Sequence, residues 1–199
     1  PAARGQAASP GVVRDGTIGP GAAIQPTGPS FVITEAMGER PDHGPNLFHS
    51  FDRFSLRDTP AGRESAYFQA GPGVENILAR VTGGERSEID GRLGADANLY
   101  LMNPAGVVFG PNASLDVNGS FHATTADAIR LGETGRFEAD PARPSVLNVA
   151  PPAAFGFLQK AAPAAAIEVN GAQLAVDPGQ GFSIVGGQVQ IGDGLSPAT

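Results

Sequence analysis

Three histidines, at 43, 49 and 122, and the acids Asp52, Asp90, Asp96, Asp116, Asp127 and Asp140 are the groups in this sequence that could move protons or hold a metal. His49 and Asp52 fall within NLFHSFDRFSL, residues 46–56, and an imidazole beside a carboxylate is a common proton-transfer pair. On a strand, positions i and i+3 point to opposite faces. Two readings therefore stand for this stretch. One is a proton-transfer pair; the other is an aromatic plug of Leu47, Phe48, Phe51, Phe54 and Leu56 with Asp52 and Arg53 at its margin. The histidines lack the HxxxH spacing of a helical metal site, and no cysteine is present to supply a thiolate, so no metal and no cofactor are expected. The acids from Asp90 to Asp140 are dispersed and form no DxD signature. A polysaccharide-cleaving enzyme using paired carboxylates or a bound Ca²⁺ is the catalytic alternative, but the expectation is a protein that is not an enzyme.

The elements that position these residues follow from composition and periodicity. With 28 glycines and 18 prolines in 199 residues, short strands are favoured over long helices. A net charge of −7 and a single lysine leave no basic patch for phosphate, so nucleic acid is not an expected partner. The Ala-rich run VAPPAAFGFLQKAAPAAAIEV is interrupted by Pro, Gln, Lys and Glu and is no transmembrane helix. The chain opens at Pro1 without an apolar signal core, so export requires a signal peptide that is absent from this chain.

Residues 1–45 read as an N-terminal arm or cap, with short strands near Val12–Ile18 and Phe31–Thr34. From Asn46 onward apolar residues alternate: Ile77, Ala79 and Val81; Leu99 and Leu101; Leu115 and Val117; Phe121, Ala123 and Thr125. Their neighbours Arg80, Asp116, His122 and Thr124 are expected to face outward, leaving each strand solvated on one side. A shift of 22 residues superposes Ile77, Leu99 and Phe121, then Ala79, Leu101 and Ala123. The same shift sets Leu93 against Leu115 and Phe137, Val107 against Ile129, Phe109 against Leu131, Gly84 against Gly106, and Gly110 against Gly132. A repeat of this length with several short strands and no helix is what a parallel β-helix requires. A leucine-rich repeat lacks support because LxxLxL does not recur, whereas an antiparallel sandwich stays open. The period slips through EADPARPSV and APPAAFGF, predicting an insertion near 137–157. The chain ends inside what reads as another coil, as the N-terminal piece of a longer protein would.

Two corners stand out in LYLMNPAGVVFGPNASLDV. In NPAG, Asn103, Pro104, Ala105 and Gly106 suit a type I turn, because a type II turn wants a positive φ where Ala105 stands. The 22-residue shift places this corner one coil above TGGE, whose Gly84 is a structural turn position. In GPNA, Gly110, Pro111 and Asn112 make a second corner that fits type I or type II.

Taken in order, NLFHSFDRFSL, GVENILARVTGGERSEIDGRL, ANLYLMNPAGVVFGPNASLDVNGSFHATTADAI, AFGFL and FSIVGGQVQI resemble the secretion domain of two-partner-secretion exoproteins of the filamentous haemagglutinin type. VVRDGTIG is similar to that family's N-terminal segment. The resemblance implies an all-β fold, a right-handed parallel β-helix with an N-terminal cap and extra-helical strands. It also implies secretion from a Gram-negative bacterium, with the domain recognised in the periplasm by the POTRA domains of an outer-membrane β-barrel transporter. The family's NPNG motif falls on Asn103, Pro104, Ala105 and Gly106, and a second Asn-containing signature on Asn46 and Leu47. Ala105 departs from the family's Asn, which removes the amide and keeps the turn. A monomeric secretion module of an adhesin, haemagglutinin or haemolysin-like exoprotein is the expected function. A surface adhesin in which this domain itself binds a host ligand is a third reading.

Overall fold

The computed structural model describes residues 11–158 and 164–192. Its strands follow the predicted alternation. The N-terminal arm supplies β1 (Val12–Arg14) and β2 (Ser30–Ile33). The first coil starts with β3 (Asn46–Phe54), passes a small hairpin of β4 (Asp58–Thr59) and β5 (Gly62–Arg63), and continues as β6 (Ser65–Phe68). Then come β7 (Asn76–Val81), β8 (Ser87–Ile89), β9 (Arg92–Ala95), β10 (Asn98–Met102), β11 (Val107–Phe109), β12 (Ser114–Val117) and β13 (Phe121–Thr124). The chain next leaves the stack for β14 (Ala128–Leu131), β15 (Gly135–Glu138) and β16 (Pro152–Gly156). It returns as β17 (Ala166–Asn170), β18 (Phe182–Val185) and β19 (Gln188–Gly192).

Three sheets are visited in rotation. The first has the order β1-β3-β7-β10-β13-β18, the second β8-β11-β17-β19, and the third β2-β6-β9-β12. Apart from β1, which runs antiparallel along β3, the strands of these sheets pair in parallel. Each circuit from β7 through β8 and β9 to β10 returns to the first sheet one strand further on, which is the connectivity of a parallel β-helix. The predicted register holds there: Leu99 lies between Ile77 and Phe121, and Leu101 between Ala79 and Ala123. These residues point inward and stack like on like, burying apolar columns in one continuous core with Leu93, Val107 and Phe109.

Two expectations are corrected. Within a coil the repeat is not uniform. Met102 lies beside Arg80 at a spacing of 22, but Val107 lies beside Ser87 at 20, and Ser114 beside Arg92 at 22 again. The NPAG corner is therefore shorter than the corner beneath it, residues 81–86, and GPNA is longer than its predecessor at residues 90–91. The two differences cancel round the circuit. Gly106 thus sits level with Arg86 rather than Gly84.

The second correction concerns where the repeat breaks. Ile129, Leu131 and Phe137 do not continue the columns of Val107, Phe109 and Leu115. The chain leaves the stack after Thr125, earlier than the predicted 137, and Ile167 and Val169 take the places beside Val107 and Phe109. Gly132 likewise belongs to the excursion, where its N–H donates to Pro151 O, and not to the column of Gly110. β14, β15 and β16 form an antiparallel sheet of order β15-β14-β16 instead. It lies on the outer face of the first sheet, where Phe48, Leu78 and Met102 pack with Ile129, Leu131 and Phe137. Arg80 and Thr124, expected in solvent, are buried beneath this cover and by their hydrogen bonds, while Asp116 does face outward against Arg92.

Candidate functional site

The NPAG corner is tied to the coils on both sides. Gly106 N–H donates to Asn103 O at 3.0 Å, closing the turn, and Ala105 N–H donates to the Asn103 side-chain oxygen at 2.9 Å. Ala105 does not adopt a positive φ, as a type I turn requires, while Gly106 has φ +118°. Asn103 is 1% exposed, and its amide nitrogen donates to Glu85 O at 3.0 Å and Ser87 Oγ at 2.9 Å in the preceding coil. Its backbone N–H donates to Thr124 O in the following one. Asn103 is therefore a bracket between three levels of the stack. Pro104 and Ala105 remain at the surface and, with Thr82, Gly84, Asp127 and Asp140, line an open pocket of about 180 Å³.

GPNA is built differently. Ala113 N–H donates to Gly110 O, and Asn112 donates to Asp90 through its backbone at 2.9 Å and its side chain at 3.2 Å. Arg63 completes a polar column by donating to Asn112 Oδ1 at 2.8 Å. A Cβ on Gly110 would lie 2.5 Å from Asp90 Oδ1, so close approach requires this glycine. Pro111 is exposed at the tip. At Gly84 the requirement is conformational: φ is +80° and nothing crowds the position.

Asn46 and Leu47 do separate work. Leu47 is fully buried in the solenoid core. Asn46 heads an asparagine ladder along the starts of the first-sheet strands: its oxygen accepts from Asn76, Asn76 accepts from Asn98, and Asn98 accepts from Ser120 N–H. Its own amide nitrogen donates to Asn148 O at 2.9 Å and Ala150 O at 2.7 Å, in the excursion. The ladder members Asn76 and Asn98 do not stand out in the sequence, although their 22-residue spacing marks them. Asn148 and Ala150 carry no comparable signal.

His49 and Asp52 are not brought together. His49 is 1% exposed against Phe51 and Phe68, whereas Asp52 is exposed. Both imidazole nitrogens lack a hydrogen-bond partner. Burial pushes the His49 pKa down to about 4, with Arg14 adding to the shift and Glu35 opposing it, so the ring is neutral at pH 7. The plug reading describes this stretch: the Phe51, Phe54 and Phe68 rings lie 5.1–6.0 Å apart under the N-terminal cap.

A partly buried polar network draws residues from three of the sequence motifs together, a convergence their sequence does not announce. Arg80 donates to Ser50 Oγ at 2.7 Å, to Thr17 Oγ1 at 2.9 Å and to Glu138 O. Asp15 accepts from Ser50, Thr17 and Thr82. Burial alone would raise the Asp15 pKa, but these hydrogen bonds outweigh it and hold the carboxyl below its ordinary value. Cap, first coils and excursion meet here. Elsewhere the acids are tied up singly: Asp96 accepts from Tyr67 and Ala70, Asp116 from Arg92, Asp127 from Leu158 N–H and Asp140 from Ala142 N–H. Among the described residues no three His, Asp or Glu side chains cluster as a metal site would. Nor is any helix there long and apolar enough to cross a membrane.

Together these features define a capped all-β solenoid module whose asparagine-bearing corners and buried ladder bind coil to coil. The model of the TPS secretion domain, the two-partner-secretion module, matches residues 11–198, and the chain belongs to that family. Its members are secreted exoproteins exported through an outer-membrane transporter. The heme/hemopexin-binding protein of Haemophilus influenzae strain Rd is 48% identical over 56 residues, which cover 28% of this chain and 6% of that protein. A second heme/hemopexin-binding protein from Haemophilus influenzae is 44% identical over 54 residues, 27% of this chain and 6% of its own length. The chain thus aligns with only a small part of these curated relatives. No solved structure matches it.

Proposed function

We propose that this domain is the export address of a large exoprotein, recognised in the periplasm by the POTRA domains of its outer-membrane β-barrel transporter, and that it acts as a monomer without catalytic chemistry of its own. The observation that carries the reading is the family match along residues 11–198; on the resemblance drawn from the sequence, the recognised motif is Asn103, Pro104, Ala105 and Gly106. Asn103 supports it physically: its amide is used up inside the fold, so the motif presents only the Pro104 and Ala105 surface beside an open pocket. Recognition there reads shape rather than an amide at residue 105, which accommodates the alanine. Asn46 and Leu47 serve the address by holding the first coil in place. The right-handed winding follows the near-universal hand of parallel crossovers.

The exoprotein belongs on this reading with surface adhesins, haemagglutinins or haemolysins. Haem or haemopexin capture, named for the two relatives, is a property to assay on the full exoprotein. The export experiment is direct. The exoprotein is co-expressed with its transporter, with and without residues 1–199, and protein in the medium is measured. Loss of secretion on deletion is expected; undiminished secretion overturns the address.

A further inference from the structure

We propose that the extra-helical sheet is a folding lock, leaving the first coils incomplete until residues 128–156 have joined the chain. β3, β7 and β10 turn Phe48, Leu78 and Met102 away from the solenoid interior, and these side chains are buried by Ile129, Leu131 and Phe137. The Phe48 and Phe137 rings meet edge-on at 5.1 Å. Arg80, on the second strand of the parallel stack, has its guanidinium 5.1 Å from the centre of the Phe137 ring and donates to Glu138 O, 58 residues away. Asn46 donates to two carbonyls at sequence separations of 102 and 104. A chain ending at Thr125 would present the three apolar side chains to water and would lack these acceptors for Asn46 and Arg80.

An ordinary solenoid gains stability coil by coil, because each repeat touches only its neighbours and folding can propagate from any point. Here the cover replaces that gradual scheme with one long-range closure. Lengthening a loop adds little to its closure entropy, so the consequence is mainly one of order and rate: local contacts must wait for distant ones. The functional consequence rests on the export reading. A chain whose first coils await residue 156 stays extended while its leading part is recognised and threaded.

Native-state hydrogen exchange on the whole chain tests the lock. The expected result is that amides of β3 and β7 and amides of β14 and β15 open with one common free energy and urea dependence. Ile129→Val should lower protection in β3 and β7 by the same factor as in β14, about three- to tenfold. Phe137→Ala should extend the same parallel loss to about a hundredfold or more, and Ile129→Val serves as the readout where that variant does not fold. Protection that falls in β14–β16 while persisting in β3 and β7 overturns the lock. The measurement needs no transporter, so its failure is separate from failure of the export reading, which secretion of the exoprotein reports.

Discussion

Phe121 and Phe182 occupy the same inward column of the first sheet and face each other with ring centres 6.0 Å apart. Phe121 is fully buried, while Phe182 is 42% exposed. The outer face shows the same contrast: Phe48 and Leu78 lie under the extra-helical sheet, but the positions continuing their column, Tyr100, His122 and Ser183, are only half-buried and line a groove of about 300 Å³ beside β16. In the early coils both faces of one sheet are buried, so the strands behave like those of a double-covered parallel sheet. In the last coil of the described residues neither is fully buried, and Val189 and Ile191 are exposed there as well. The same alternation thus yields fully buried strands in the early coils and part-exposed ones in the last described coil, because burial is supplied by a neighbour and not by the strand itself.

Substitutions along the shared column give the sharpest way to break this contrast. Phe121→Ala should destabilise the domain by about 3–5 kcal/mol and Phe182→Ala by roughly 1 kcal/mol, read as urea midpoints. Equal losses would erase the difference between the ends.

His49 offers the next largest effect. It shares an inward column with Ala79, Leu101 and Ala123, the only ionisable member among them. The unfolded chain takes up its proton near pH 6.5 and the folded one only near pH 4, so the stability present above pH 6.5 is lost as pH falls between those values. The loss attributable to His49 should reach roughly 3 kcal/mol. The charge of Arg14 opposes protonation of the ring and that of Glu35 favours it. The check is the difference between the pH–stability profiles of wild type and His49→Leu. Matching slopes between pH 6.5 and 4.5 would show that the ring does not control this window.

Asn46→Ala, which strips two carbonyls of the excursion and Asn76 of their partner, should cost about 1–3 kcal/mol, more than Asn98→Ala further along the ladder. Chemical unfolding of the two variants side by side decides it. Gly106→Val should cost a similar roughly 1–3 kcal/mol, since φ is +118° and a Cβ would lie 3.1 Å from Ala166 O, and should reduce export with it. Ala105→Asn should change stability by less than about 0.5 kcal/mol and leave export unchanged. A secretion gain in that variant would return a role to the amide.

Local chemistry makes the corners and the repeat legible in the sequence. Pro104 and Gly106 restrict their own backbone, and alternation reports a strand whatever lies beyond it, so periodicity alone stacks Ile77, Leu99 and Phe121. Turn composition also separates NPAG from a type II bend. The corners' unequal lengths are not legible, because two opposite changes cancel over one circuit and leave the 22-residue period untouched. Nor is the site's support: Asn103 reads as a turn former, and nothing local says that its amide reaches Glu85 and Ser87.

Sequence by itself determined an all-β chain with tight Asn-bearing corners, a 22-residue repeat that favours a solenoid while leaving an antiparallel sandwich open, and a resemblance to a secretion domain. Those properties rest on short-range backbone preference and on motifs in order; the parallel pairing that makes it a solenoid came from the fold. Tertiary structure alone decided that Ile129, Leu131 and Phe137 cover the first sheet instead of extending the columns, that Arg80 and Thr124 are buried, and that His49 is isolated from Asp52. The physical reason is that an apolar face carries no address. Phe48 and Leu78 would be satisfied by any apolar surface, and only the folded chain shows which segment, well separated from both in sequence, arrives to bury them.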